Sequence, residues 1–240
     1  KESTDHNTGK VDAICKRPLS DPLIFHTQTS TEYWQRRGSL IHTDTKGNDL
    51  APPENVRIYH WASAQHVGNP LQERPTRGIC QNPENVLQTS MIFRALLDAL
   101  DNWVSKAITP PENQIPTNSK GTLVDFEYWK SQFPKIPNLV TPQAPNKLSI
   151  YDYGPKAHLG IFDTLPPRKI QNCNYVIKVP SVDDDGNELA GIRVPMLGTP
   201  LATYTGWNIR SRNFGEGAMH EFSGSTVIFP ETDAVRRMIN

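Results

Sequence analysis

The sequence has little net charge and no long apolar run, and each of these absences excludes a class of protein. Its 25 basic and 25 acidic residues cancel, so the chain lacks the electrostatic footprint that nucleic acid or an anionic lipid surface attracts. No segment approaches the run of roughly 18 apolar residues that a membrane span requires. We therefore expect no nucleic-acid partner and no membrane span.

Cysteine is also scarce. Cys15, Cys80 and Cys173 lie far apart and form no C-x-x-C pair, which argues against a zinc ribbon or a thioredoxin-type redox site. One disulfide with one free thiol is compatible with an exported protein, but the spacing does not select the pair. The acidic segment "VDDDGNELAG" does not fit a calcium-binding EF-hand loop, because its glycine comes fourth instead of sixth. We read it as a hairpin turn on Gly186-Asn187 and expect no metal or cofactor.

The amino-terminal part of the chain has the pattern strand, loop, strand and helix. A short strand at Leu23 to Phe25 leads into a hydroxyl-rich loop that holds Glu32. The apolar run from Val56 to Ala62 is typical of a strand covered on both faces, as in a parallel sheet. The spacing of the next apolar residues predicts a long helix that starts at Asn82-Pro83-Glu84 and ends before Thr109.

The pattern changes after about Pro110. Many of the 21 prolines lie between Pro110 and Pro167, which favours irregular backbone over long helices. Four β-prone segments follow, "NYVIKVP", "AGIRVP", "ATYTGWNIR" and "STVIFP". The proline-rich stretch carries apolar anchors that a free linker would not need, and it should therefore pack on the first part of the chain. These anchors are Phe126, Trp129, Phe133 and Ile136.

Two residues with catalytic chemistry follow the two predicted strands. Glu32 comes after the first strand and His66 after the second, where open α/β sheets keep their ligands and chemistry. The order acid then histidine is that of the second and third members of the Ser-acid-His triad of α/β-hydrolases. In such a triad the histidine takes the proton of the nucleophile and the carboxylate orients the imidazole.

Other residues compete for these two roles. His60 lies within the second strand, where we expect a core position, and His26 ends the first strand. Asp44 and Asp49 are alternative acids, but they lie in a turn-rich segment where a solvated carboxylate is the ordinary outcome.

The nucleophile of such a triad is missing from the sequence. No G-x-S-x-G elbow occurs, and the nearest serine context, "FSGSTV" with Ser223 and Ser225, follows the histidine in β-prone sequence. We interpret both serines as turn or strand residues. The polar start "KESTDHNTGK" has neither an initiator methionine nor an apolar signal core, which predicts a processed product or a piece of a longer protein.

Five segments carry a resemblance to a known family: "TSTEYWQRRGSLIHTD", "VRIYHWASAQH", "YDYGP", "VPSVDDDGNELAGIRVP" and "PLATYTGWNIR". They are similar to the carboxyl-terminal half of the large bacterial proteins grouped as the α/β-hydrolase domain family, which are taken to be serine hydrolases. The likeness extends over nearly the whole chain. In that family a serine elbow, G-x-S-x-S or G-x-S-x-G, lies upstream of these blocks. By this resemblance Glu32 matches the acid position and His66 the histidine.

The resemblance implies an α/β fold in two parts. Residues 1–109 would form the carboxyl-terminal part of an α/β-hydrolase core, with two strands of its sheet plus the final helix. Residues 110–240 would form a β-rich, proline-rich extension packed on that core.

The implied function is a serine hydrolase that cleaves a small-molecule carboxylic ester or a related acyl bond. Its serine and oxyanion hole would lie in an amino-terminal half of the same protein, so the isolated chain should be inactive. Export to the periplasm or the medium is a further expectation. The alternative is a non-catalytic binding module derived from a hydrolase, with aromatic residues of the second part as a binding surface. These are Trp129, Tyr151, Tyr153, Tyr204 and Trp207.

Overall fold

The computed structural model describes residues 2–5, 8–17, 19–68, 71–72 and 74–230. Within these ranges helices alternate with short strands, most of them in antiparallel pairs. The elements are, in chain order, β1 Ser3–Thr4, β2 Val11–Asp12, β3 Ile24–Thr29, α1 Ser30–Gln35, β4 Val56–Trp61, α2 Ser90–Lys106, β5 Leu123–Val124, α3 Phe126–Gln132, β6 Ser149–Asp152, β7 Arg168–Asn174, β8 Val179–Pro180, α4 Pro195–Gly198, β9 Ala202–Thr205 and β10 Ser225–Ile228.

The parallel pair β3–β4 organises the first part of the chain. The strands are in continuous register, ending with Thr29 opposite Trp61. On the far side of β4, single parallel bridges to Gln114 and Ile192 widen this small sheet. Because parallel strands end at the same edge, the residues after Thr29 and Trp61 emerge side by side.

Two predictions for this region are wrong in detail. The first strand extends to Thr29, well beyond the predicted Leu23 to Phe25, because every residue from Ile24 onward pairs with β4. The predicted loop around Glu32 is helix α1. It starts at a capping box formed by Thr29 and Glu32, which satisfies backbone donors that a short helix leaves unpaired.

Helix α2 covers one face of the parallel pair. Ile92 and Leu96 lie on its inner side and share a buried cluster with Tyr59 and Trp61 of β4. The prediction that the helix ends before Thr109 is confirmed, since α2 ends at Lys106.

The predicted start of this helix is wrong, because α2 begins at Ser90 and not at Asn82-Pro83-Glu84. The preceding residues pair with distant segments instead. The Thr226 amide donates to the Pro83 carbonyl at 2.9 Å, and the Asn85 amide donates to the Gly224 carbonyl at 3.2 Å. These bonds hold the segment extended, so a local capping signal is overridden by tertiary pairing.

The second half of the chain is built from short antiparallel pairs, β5–β8, β6–β7 and β9–β10. The β-prone segments "ATYTGWNIR" and "STVIFP" do supply strands, namely β9 and β10. The segment "NYVIKVP" does not form one strand, because β7 ends at Asn174 and β8 starts at Val179. In "AGIRVP" only Ile192 makes a bridge before Pro195 starts helix α4, where a first-turn proline is well tolerated.

Aromatic residues join the two halves. Trp34 of α1 lies in a buried cluster with Trp129 and Trp207, and the Trp34 and Trp129 ring centroids are 4.7 Å apart. Phe126 and Phe133 pack against the same cluster, as anchors would. The division of the chain into two domains stays a prediction.

No helix in the described ranges is long and apolar enough to cross a membrane. Cys15, Cys80 and Cys173 are all free thiols in the described structure, with Cys80 buried and Cys173 exposed.

Candidate active site

Glu32 and His66 leave adjacent strands at the same edge of the sheet. Glu32 lies in the first turn of α1, which follows β3 directly, and His66 lies in the loop after β4. This edge is the carboxyl end of the parallel pair, where α/β folds commonly form their sites.

The two side chains are in direct contact. His66 Nδ1 hydrogen-bonds to Glu32 Oε1. Because a carboxylate only accepts, this contact puts the imidazole proton on Nδ1 and leaves Nε2 as the basic nitrogen. The residues that the sequence analysis singled out are thus neighbours in the structure, and their catalytic role stays a prediction.

The second oxygen of the Glu32 carboxylate is held by Thr29. Its backbone amide donates to Glu32 Oε2 at 2.6 Å, and its hydroxyl donates to the same oxygen at 2.5 Å. The capping box therefore fixes the carboxylate so that Oε1 faces His66. The same hydrogen bonds therefore cap helix α1 and orient the Glu32 carboxylate.

The backbone of His66 is positioned by the same helix. The His66 amide donates to Thr31 Oγ1 at 3.1 Å, and the Thr31 hydroxyl donates to the Gly206 carbonyl at 2.8 Å. Thr31 is fully buried. The histidine loop is thus tied through Thr31 to the turn after β9.

The pair is open to solvent on its histidine side. The His66 side chain is 44% exposed and that of Glu32 is 16% exposed. In the described part of the chain His66 Nε2 has no hydrogen-bond partner. The acid is therefore sheltered while the base remains accessible to a substrate or a nucleophile.

An aromatic ring lies against the imidazole. The centroids of the His66 and Phe222 rings are 4.6 Å apart, with a 36° angle between the planes. The Arg36 guanidinium lies over the Phe222 ring, 4.6 Å from its centroid, and also pairs with Glu221 at 2.7 Å.

The competing acids Asp44 and Asp49 have turn roles. Burial acts to raise the pKa of each carboxyl, but hydrogen bonds outweigh it and hold both pKa values below the ordinary range. Asn48 and the Lys46 amide supply the bonds to Asp44, and Asn118 and Ser119 supply those to Asp49. Both carboxylates are stabilisers of loop structure.

His60 is a core residue, as expected, and it forms a second histidine–glutamate pair. Its side chain is fully buried, and its Nε2 lies 2.8 Å from Oε2 of Glu188, which is also buried. The Ser63 amide donates to the same oxygen at 2.6 Å, and the Ser30 hydroxyl donates to Glu188 Oε1 at 2.5 Å. Glu188 thus joins the segments that follow β3 and β4.

His26 does not end the first strand but lies within β3, which continues to Thr29. Burial lowers the pKa of His26, and the nearby Glu32 carboxylate opposes that shift. Its place within the strand separates it from the loop that carries His66.

Ser225 is a strand residue, which confirms its interpretation. It lies in β10, fully buried, with its hydroxyl 2.6 Å from Thr205 Oγ1 and 3.1 Å from the Trp207 carbonyl. Ser223 lies in the turn before β10. Neither is on an elbow between a strand and a helix.

The segment around Gly186 is a hairpin turn, as predicted. Gly186 has a φ of +76°, and the flanking Val182 and Glu188 form an antiparallel bridge. Asp183 caps the turn and pairs with Arg193 at 3.0 Å. Across the described residues no group of three or more histidine, cysteine or acidic side chains could hold a metal ion.

The aromatic residues considered for a binding surface are divided between core and surface. Trp129, Tyr204 and Trp207 are buried, whereas Tyr151 is 36% exposed and Tyr153 is half-buried. Three of the five therefore have a packing role, which weakens the case for a binding module.

Sequence reasoning missed Thr29, Glu188 and Phe222. Thr29 had a local signal, since Thr29 to Glu32 matches the T-x-x-E capping box. Glu188 and Phe222 had none, because each reaches the site through contacts that are distant in sequence.

Comparison with known proteins bears on this arrangement. The family model described as an alpha/beta hydrolase domain matches residues 2–237. The chain therefore belongs to the alpha/beta hydrolase domain family. No curated protein and no solved structure matches it.

Proposed function

We propose that this chain is part of a serine hydrolase that cleaves a carboxylic ester or a related acyl bond. Membership of the hydrolase family supports the general reaction class. The more specific proposal assigns His66 as the general base, Glu32 as its orienting acid, and a serine outside these 240 residues as the nucleophile.

The observation that carries the proposal is the hydrogen bond between His66 Nδ1 and Glu32 Oε1 at the ends of two adjacent parallel strands. The acid precedes the histidine in the chain, which is the α/β-hydrolase order. The hydrogen bond directs Nε2 away from Glu32 and toward solvent, the side from which a serine hydroxyl would approach.

The reaction follows from these positions. Nε2 of His66 accepts the serine proton while the serine oxygen attacks the acyl carbon, and Glu32 stabilises the imidazolium that forms. His66 then returns the proton to the leaving alkoxide, which leaves an acyl-enzyme. Water attacks this ester with His66 again as the base, and His66 then returns the proton to the serine oxygen as the acid is released. Backbone amides near the serine elbow would hold the oxyanion.

Surfaces of the described part support a missing amino-terminal half that carries the serine. The sheet face formed by Ile24, His26, Val56 and Ile58 borders an open groove of about 670 Å³. Two strands and one helix do not cover both faces of a sheet. Residues 13–15, 40–41 and 52–53 of this chain form the other walls of the groove, and we infer that the amino-terminal half fills the space between them.

Helix α2 supports the same inference. Phe93, Leu97 and Val104 lie on one side of this helix and are 55%, 67% and 65% exposed. An exposed apolar stripe at helical spacing is typical of a face that packs against another element.

The test is labelling by a serine-directed fluorophosphonate. Protein expressed from the complete gene should be labelled on one serine outside these 240 residues, as located by peptide mass spectrometry, and the isolated chain should not be labelled. Stoichiometric labelling of Ser223, Ser225 or another serine of this chain would show that the nucleophile lies in this chain and would contradict the proposal. Absence of labelling in the complete, folded protein would favour the non-catalytic alternative.

A further inference from the structure

Phe222 has an unfavourable backbone conformation next to the candidate base. Its φ is +60°, in the left-handed region that bulky side chains avoid. Such a conformation persists only where surrounding contacts enforce it, and residues of this kind cluster at functional sites.

Two buried glutamines enforce the conformation. Oε1 of Gln35 accepts the Phe222 amide at 3.0 Å, while Nε2 of Gln35 donates to the His220 carbonyl at 2.9 Å. Oε1 of Gln65 accepts the Gly224 amide at 2.9 Å. The turn is therefore held on both sides of Phe222.

These glutamines belong to the two segments that carry the candidate site. Gln35 lies on α1 together with Glu32, and Gln65 directly precedes His66. The position of Phe222 is therefore fixed relative to both Glu32 and His66.

The Phe222 ring contacts the site and not the core. It lies 4.6 Å from the His66 ring, centroid to centroid, and beneath the Arg36 guanidinium. It belongs to neither of the two buried hydrophobic clusters of the described structure. Packing of the protein interior thus gives no reason for a strained phenylalanine at this position.

We propose that Phe222 is a positioning residue for His66, and this inference rests on the function proposed above. Its ring blocks one side of the imidazole, so that Nδ1 stays directed at Glu32 and Nε2 at the nucleophile. The strained backbone puts the ring there at a fixed angle.

The test separates positioning from stability by the choice of substituent. Phe222→Gly removes the ring and relieves the backbone, since glycine adopts a positive φ readily, whereas Phe222→Ala removes the ring and keeps the strain. Phe222→Tyr retains the ring. Asn213→Gly is the matched control, because Asn213 has a φ of +74° in an exposed turn that does not contact His66.

We would measure ester hydrolysis, thermal melting and the proton NMR signal of His66 Nδ1 in protein from the complete gene. Phe222→Gly and Phe222→Ala should lower kcat by roughly 10- to 100-fold with a smaller change in KM, as expected for a misplaced catalytic group. The glycine variant should melt no lower than the alanine variant. The downfield Nδ1 signal should weaken in both, and Phe222→Tyr and Asn213→Gly should keep activity and signal.

Two results would overturn the inference. One is a kcat in Phe222→Gly within about two-fold of the unmodified protein, since a positioning error of this kind is expected to cost far more. The other is an activity loss that only accompanies a lower melting temperature. Full activity in His66→Gln would instead overturn the proposed function and, with it, any role for Phe222 in positioning.

Discussion

Two histidine–glutamate pairs in the described part of the chain differ in burial. His60 and Glu188 are 0% and 5% exposed, whereas the side chains of His66 and Glu32 are 44% and 16% exposed. Both histidines come from β4 or the loop after it. The same two residue types therefore have two roles, and solvent access decides between them.

The buried pair acts as a structural joint. Glu188 accepts hydrogen bonds from Ser30, Ser63 and His60, so it connects the segments after both parallel strands. Removing the Glu188 carboxylate would leave these three buried donors without their acceptor, which is costly. In the exposed pair, by contrast, Thr29 holds the Glu32 carboxylate in place and the His66 imidazole is accessible to solvent.

The largest effect expected is on activity when the exposed histidine is changed. His66→Gln should lower kcat for an ester substrate by about a million-fold, as loss of the histidine does in a well-studied serine protease. The fold should persist, which circular dichroism would check. His60→Gln is the matched variant and should act mainly through stability. An equal loss of kcat in a well-folded His60→Gln protein would contradict the division of roles.

The acid of the exposed pair should have the next largest effect. Glu32→Gln should lower kcat by about ten-thousand-fold, because an amide does not hold the imidazole in the required tautomer. Steady-state kinetics with Asp44→Asn as the control would measure this. If Asp44→Asn lost as much activity as Glu32→Gln, the choice of acid would be wrong.

The buried pair should dominate stability. Glu188→Ala should lower the free energy of unfolding by about 3–5 kcal/mol, since it leaves three buried donors without their acceptor and each such loss costs roughly 1–3 kcal/mol. Glu188→Gln should lose less, because an amide can still accept from Ser63 and donate to the Ser30 hydroxyl. Glu32→Ala should cost about 0.5–2 kcal/mol, the usual effect of losing a helix cap. Urea unfolding would rank the three, and a smaller loss in Glu188→Ala than in Glu32→Ala would reverse the comparison.

Burial of His26 should give a smaller, pH-dependent effect on stability. Burial lowers the pKa of His26 below its usual 6.5, so the unfolded state binds a proton at a higher pH than the folded state. The stability that neutral, buried His26 contributes is fully present above pH 6.5. It is lost as the pH falls from 6.5 to the lower folded-state pKa, by at most about 1.4 kcal/mol per pH unit. His26→Asn should flatten the decline in unfolding free energy between pH 6.5 and 5. The exposed His158→Asn is the control, and an identical flattening in that variant would count against burial as the cause.

The sequence was most informative where a local pattern and the tertiary structure agree. The apolar run of β4 follows from strand periodicity and burial, and the end of α2 follows from Thr109-Pro110. The order of Glu32 and His66 also indicates their proximity, because consecutive parallel strands end at one edge. The T-x-x-E capping box at Thr29 is also visible in the sequence. It predicts helix α1, where the hydroxyl-rich composition by itself suggests a loop.

The tertiary structure decided what local patterns do not contain. Asn82-Pro83-Glu84 has the composition of a helix start, yet pairing with the segment around β10 keeps it extended. The position of Glu188 beside His60, and that of Phe222 beside His66, depend on chain segments that meet only after folding. Local propensities are worth less than about 1 kcal/mol per residue for most side chains. The burial of a whole segment and its non-local hydrogen bonds together outweigh them, and so the fold determines which glutamate each histidine meets and which histidine remains open to solvent.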